Sequence, residues 1–259
     1  MRLPRGVQLP ALCVLSAGLL CAGCEKEPGA GRGTSGGDAR GARIEPAFLP
    51  SRDGFAFANN FPGNPWPTFA GMRDSEKSSF GLCGGMSAAA ADYFFAQRPS
   101  PRSNSLPKRG SKLYEYIFMR QAESFGPGLQ TALKFAEWMR LPDQELAGRT
   151  KAELDALEAK LKQQPIAPIG LIIARPNGPA GARDISDNHQ VLAIGMARTA
   201  GGADIRIYDP NYPLDDGVVI SIDFAKAPCG ERNRPIRKPT AIRGFFVLPY
   251  ASLYPPDAD

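Results

Sequence analysis

The hydrophobic period of this chain changes once, near residue 165, and that change limits the folds open to it. Before it, apolar residues recur at helical spacing. Leu113, Tyr116 and Ile117 mark one segment, Leu129, Leu133, Ala136 and Met139 a second, and Leu154, Leu157 and Leu161 a third. The third follows "TKAE" at residues 150–153, the pattern of a capping box, in which Thr and Glu satisfy free backbone N–H groups of a first helical turn. Beyond residue 165 the pattern is that of strands: "PIAPIGLIIAR", "HQVLAIGMAR", "ADIRIYDP", "GVVISIDF" and "AIRGFFVLPY". "TAGG" joins the second and third of these as a hairpin. Helices gathered in one half and strands in the other predict an α+β domain rather than an alternating α/β one.

The N-terminus reads as a targeting segment. Arg2 and Arg5 precede "LPALCVLSAGLL", an apolar run too short to span a bilayer comfortably. It ends in "LCAGC", with small residues before Cys24. This resembles a bacterial lipoprotein signal, which implies loss of residues 1–23, a lipid on Cys24 and an extracytoplasmic location on a bacterial membrane. Residues 24–45 are Gly-rich with few apolar side chains and read as a flexible tether. The globular domain is expected over 46–259. Within it, residues 50–71 mix aromatics with Gly, Pro and Asn and read as an irregular, turn-rich segment. A net charge of +5, with arginines scattered through Gly/Pro-rich stretches, gives no basic face interleaved with aromatics, so nucleic acid is not an expected partner.

Of five cysteines, Cys13 and Cys21 belong to the signal and Cys24 to the anchor, leaving Cys83 and Cys229. One reading pairs these two in a disulfide, as an oxidising compartment permits. The other follows from "FGLCGGMSAAAADYFF". Cys83 heads a predicted helix, whose N-terminal end carries positive partial charge and favours a thiolate. Gly84 and Gly85 allow close approach of backbone and substrate. His189 is the one histidine of the chain, at the start of a predicted strand. Asp209, in "IYDPN", ends the next strand, and a strand out and a strand back return it to His189. A carboxylate there would orient the ring and aim its other nitrogen at Cys83.

The order Cys at a helix start, His on a strand, Asp at the end of the next strand resembles that of papain-like cysteine peptidases. The matching pieces are "GLCGGMSAAAADYF", "NHQVLAIG" and "IYDPNYP". The resemblance implies a central helix carrying the nucleophile, packed on an antiparallel barrel-like sheet. It implies Cys83 as nucleophile, His189 as general base, Asp209 as orienting group, and a peptide or protein substrate. Two places depart from the family pattern: Gly84 stands where an aromatic often follows the cysteine, and Lys77 where many members carry an oxyanion-hole Gln. Asn59, Asn60 and Gln190 are candidates for that donor. No cofactor is implied, and no closely spaced ligand pairs suggest a metal. Acyl transfer to an amine, or binding of peptide or glycan in the groove without turnover, are the alternative functions. The substrate's identity and the oligomeric state are not legible.

Overall fold

The structure, a computed structural model, describes residues 43–63, 79–176, 184–234 and 237–257. All of these fall within one unit, Ala39–Asp259. Cys24, the expected signal and residues 24–42 of the expected tether lie outside the described residues, as do Lys77 and residues 64–71 of the aromatic segment.

The elements run β1 (Arg43–Ile44), α1 (Pro50–Asp53), β2 (Phe61–Pro62), β3 (Ser79–Phe80), α2 (Cys83–Phe95), α3 (Lys112–Ser124), α4 (Gln130–Met139), α5 (Asp143–Gln163), β4 (Ala167–Ile172), β5 (His189–Arg198), β6 (Gly202–Tyr208), β7 (Val219–Asp223), β8 (Gly230–Asn233), β9 (Thr240–Ile242) and β10 (Gly244–Val247). The arrangement is α+β. The main sheet is antiparallel in the order β10-β4-β5-β6-β7-β8-β9, with β1 also on β5. Strands β9 and β10 stand at opposite ends of that order, yet only Arg243 separates them in sequence. The sheet must therefore curl until its edges approach, which makes it a half-barrel. Buried Arg243 fixes this corner: its guanidinium donates to the carbonyls of Met139, Ala174 and Leu141 and pairs with Asp143.

Helix α2 is the element around which the first half is built. Residues 84–93 are all buried, so the helix is covered on every side, as a central helix must be. It packs on α3 and on β5. Small residues make that possible: a Cβ on Gly85 would lie inside the van der Waals envelope of the Ile117 carbonyl oxygen of α3. The far end of α2 is held by Asp92, fully buried, which accepts from Tyr116 Oη and Tyr250 Oη, both at 2.7 Å, and from the Leu253 N–H at 3.0 Å. Arg120 neutralises it at 2.9 Å. The aromatic segment before α2 packs Phe48, Phe55, Phe57 and Phe61 into the same core.

Several expectations shift. Residues 143–163 form one continuous helix, so the "TKAE" box does not open it. Thr150 is buried inside and its hydroxyl donates back to Leu146 O at 2.8 Å, while Glu153 pairs with Lys134 and accepts from the Val247 N–H. On α4 the buried face is Thr131, Phe135, Trp138 and Met139; Leu129 and Leu133 of the expected apolar stripe are exposed at 59% and 65%. The aromatic residues outweigh the leucines, because burying a larger ring removes more apolar area from water. The fold also begins ahead of Pro46, because Arg43 and Ile44 pair with Ala197 and Met196.

One local consequence is directly measurable. Gly148 sits exposed inside α5, and a Cβ there would meet nothing within 4 Å. Glycine in a helix interior costs roughly 0.5–1 kcal/mol relative to alanine. Gly148→Ala is expected to raise the thermal midpoint by about 2 °C; a melting curve checks it, and a lowered midpoint would contradict the packing described.

Candidate active site

Cys83 is the first residue of α2, where the first N–H groups of the opening turn have no carbonyl partner within the helix. Just ahead of it Asn59, reaching over from the preceding aromatic segment, accepts the Leu82 N–H on its Oδ1 at 2.6 Å. Cys83 is partly exposed and free of any disulfide. Cys229, the partner considered for it, is also a free thiol, buried beside β8 with its Sγ on Arg243 O at 3.5 Å. Burial pushes its thiol up to about 11, which leaves it protonated and inert at neutral pH.

His189 is the first residue of β5 and is buried between strand and helix layers. Its register partner is Leu171 on β4. The β5–β6 hairpin turns through residues 199–202 and pairs Leu192 with Tyr208, which brings the next residue, Asp209, back to the His189 end. His189 Nε2 meets Asp209 Oδ1 at 2.7 Å. The Cys83 thiol is the ring's other ionisable neighbour, and the two influence each other's proton affinity. Carboxylate and imidazole are thus hydrogen-bonded, and the sulfur interacts with the same ring.

The charges of these three groups support one another. Burial alone disfavours an imidazolium, but the Asp209 carboxylate and its hydrogen bond, with the Cys83 sulfur, outweigh it and push His189 up to about 10. Burial likewise raises the Cys83 thiol, yet the bond to His189 and its charge, with the backbone N–H groups of Gln190 and Gly84, hold it below its ordinary value. Asp209, fully buried, would be pushed up by desolvation; His189, Arg232 and the Asn211 N–H bring it down. The contact between Cys83 and His189 thus raises the proton affinity of the ring and lowers that of the sulfur, the direction in which a thiolate–imidazolium pair forms.

Three further residues complete the site, and the sequence reading assigned them no place in it. Arg232, on β8, donates from Nη1 to Asp209 Oδ2 at 2.9 Å. The Asn211 N–H donates to Asp209 Oδ1 at 2.9 Å, an Asx turn that fixes the carboxylate's plane. Ser124, at the end of α3, accepts the Gln190 side-chain amide at 3.2 Å. The Asp-Pro-Asn run held a signal for the Asx turn; nothing in the sequence pointed to Arg232 or Ser124.

The three oxyanion-donor candidates separate. Gln190 is buried, and its amide wedges between Ser124 and Gly84, where a Cβ would lie 2.5 Å from Gln190 Oε1. A side chain in place of Gly84 would have to displace the Gln190 amide and the Ser124 hydroxyl. Asn60 is exposed, its N–H turned onto Ala58 O. Asn59 stands at the helix start, with Nδ2 donating to Asn211 Oδ1 at 3.0 Å and its backbone N–H to Pro210 O at 2.9 Å. It ties the beginning of α2 to the turn that carries Asp209, and its amide keeps a second N–H. Among the described residues no group of three or more His, Cys, Asp or Glu side chains could hold a metal ion. No family model, curated protein or solved structure matches this chain.

Proposed function

We propose that the chain is an extracytoplasmic cysteine hydrolase of papain-like type, lipid-anchored through Cys24, that acts on amide bonds of peptides. The observation that carries the reading is the buried Asp209–His189 hydrogen bond on a ring that interacts with Cys83, whose sulfur stands at the first position of a buried helix. In this mechanism the Cys83 thiolate attacks the carbonyl carbon. The tetrahedral oxyanion is met by the Cys83 backbone N–H and the Asn59 amide. His189 then gives its Nδ1 proton to the leaving amine, and the C–N bond breaks to leave a thioester on Cys83. The neutral ring next takes a proton from water. Hydroxide adds to the thioester, the C–S bond breaks to release the carboxylic acid, which gives its remaining proton to solvent, and thiolate and imidazolium are restored. An amine in place of that water makes the same site an acyltransferase.

The test is capture of the acyl-enzyme. Wild type, treated with activated peptide esters and quenched in acid, is expected to carry one acyl group on Cys83 by intact-mass and peptide mapping, and Cys83→Ala none. Peptide binding of equal strength in both proteins, with no adduct on Cys83, would instead support a non-catalytic groove.

A further inference from the structure

Strand β8 puts an arginine where the half-barrel presents apolar residues. Arg232 pairs with Ile220 of β7, which pairs in turn with Ile205 of β6. Both isoleucines are fully buried, and the Arg232 side chain is only 9% exposed. A charge in such a place is stable only if it is paired. Its partner is Asp209, itself without solvent contact.

We propose that Arg232 is a positioning residue of the Cys83–His189 pair: it holds Asp209 Oδ2, leaves Oδ1 to His189, and balances the buried cluster at zero net charge. The inference rests on the reading of Cys83 and His189 as a reactive couple. Without Arg232 the cluster of thiolate, imidazolium and carboxylate carries a net negative charge in a poorly solvated place. Both protons, on sulfur and on imidazole, would then be held more tightly, because a nearby positive charge lowers the proton affinity of every group it faces. The other ionisable neighbours of Arg232 are few. Tyr212 lies under the guanidinium at 5.2 Å, and Arg234, paired with Asp215, stacks on the same ring at 3.7 Å. Ile220 of β7 and Thr240 of β9, directly opposite, carry no charge. Glu231 and Arg206 are exposed, on the sheet's other face by strand alternation.

The experiment is the pH–rate profile of iodoacetamide alkylation of Cys83, measured on the whole domain in wild type, Arg232→Lys and Arg232→Met. In Arg232→Met the acid limb and the alkaline limb are both expected to move up, by about one pH unit. Arg232→Lys, which keeps the charge, is expected to leave both near wild type. A purely structural role would lower the rate at every pH without moving the limbs. Should Arg232→Met not fold, Arg232→Gln carries the same prediction, since it keeps an N–H for Asp209 and loses the charge. Limbs that coincide with wild type in the neutral variant, or that move as far in Arg232→Lys, overturn the proposal while leaving the reactive pair intact. A wild-type rate that rises only near an ordinary thiol pKa, as in a His189→Ala control, overturns the pair and this role with it.

Discussion

Replacing His189 with alanine is expected to abolish the Cys83 thiolate at neutral pH. The helix start and the N–H groups of Gly84 and Gln190 remain, but burial, the largest influence on this thiol, then works unopposed by an imidazolium. A thiol returned to its ordinary pKa of ~8.5 is ionised to roughly one part in 300 at pH 6. The few thiolates that form are individually more nucleophilic, which recovers part of the loss. Alkylation at pH 6 should therefore fall by about 10- to 100-fold, and the thiolate absorbance near 240 nm should vanish altogether. Amide turnover should fall further, by on the order of 10³ or more, because the proton donor to the leaving amine is gone as well. A variant that alkylates at the wild-type rate at pH 6 would mean that the ring does not govern the sulfur.

Gly85→Ala is expected to be the most damaging of the conservative substitutions in α2. The new methyl would meet the Ile117 carbonyl oxygen, which is backbone and already engaged in α3, along with Gln121 Cβ at 3.0 Å. Neither can rotate away, so α2 and α3 must separate. Overpacking of this kind costs about 1–3 kcal/mol, which for a domain of this size lowers the thermal midpoint by roughly 3–10 °C. The separation also pulls Gly85 N–H from Gln121 Oε1, now at 3.0 Å, and disturbs the Gln121–Ser124–Gln190 contacts behind the nucleophile. Gly85→Ala should thus lose alkylation rate as well as stability, whereas Gly148→Ala on α5 should gain stability alone. Calorimetry and alkylation on the two variants separate the cases. An unchanged midpoint in Gly85→Ala would contradict the close packing of the two helices.

How much of this was legible in the sequence depends on what each residue faces. The α+β class could be read because the apolar period changes once and stays changed. The hairpin geometry placing Asp209 by His189 could be read because "TAGG" sets a short turn, so the lengths of β5 and β6 fix where the chain returns. Strand β8 was not legible. Its inward positions are Gly230 and Arg232 rather than apolar residues, so "GERN" shows no alternation, and the residue that hides the strand is the one that neutralises Asp209. The α4 face was misread for a related reason: leucines at helical spacing are outcompeted by Phe135 and Trp138 for the limited surface against the sheet. The capping box failed because its Thr and Glu are used by other partners, Leu146 O and Val247 N–H, once seven further residues extend the helix N-terminally from Thr150 to Asp143. Asn59 was legible only as a candidate donor; its bonds to Leu82 and Asn211 depend on contacts between distant parts of the chain.

The central claim is that a thiolate at Cys83 and an imidazolium at His189 coexist at neutral pH. Because the chain has one histidine, ¹⁵N-histidine labelling reports that ring alone. At pH 7.5 both ring nitrogens should show imidazolium shifts, with the proton leaving only near pH 10. A neutral ring at pH 7.5 that titrates near its ordinary value of 6.5 would contradict the account.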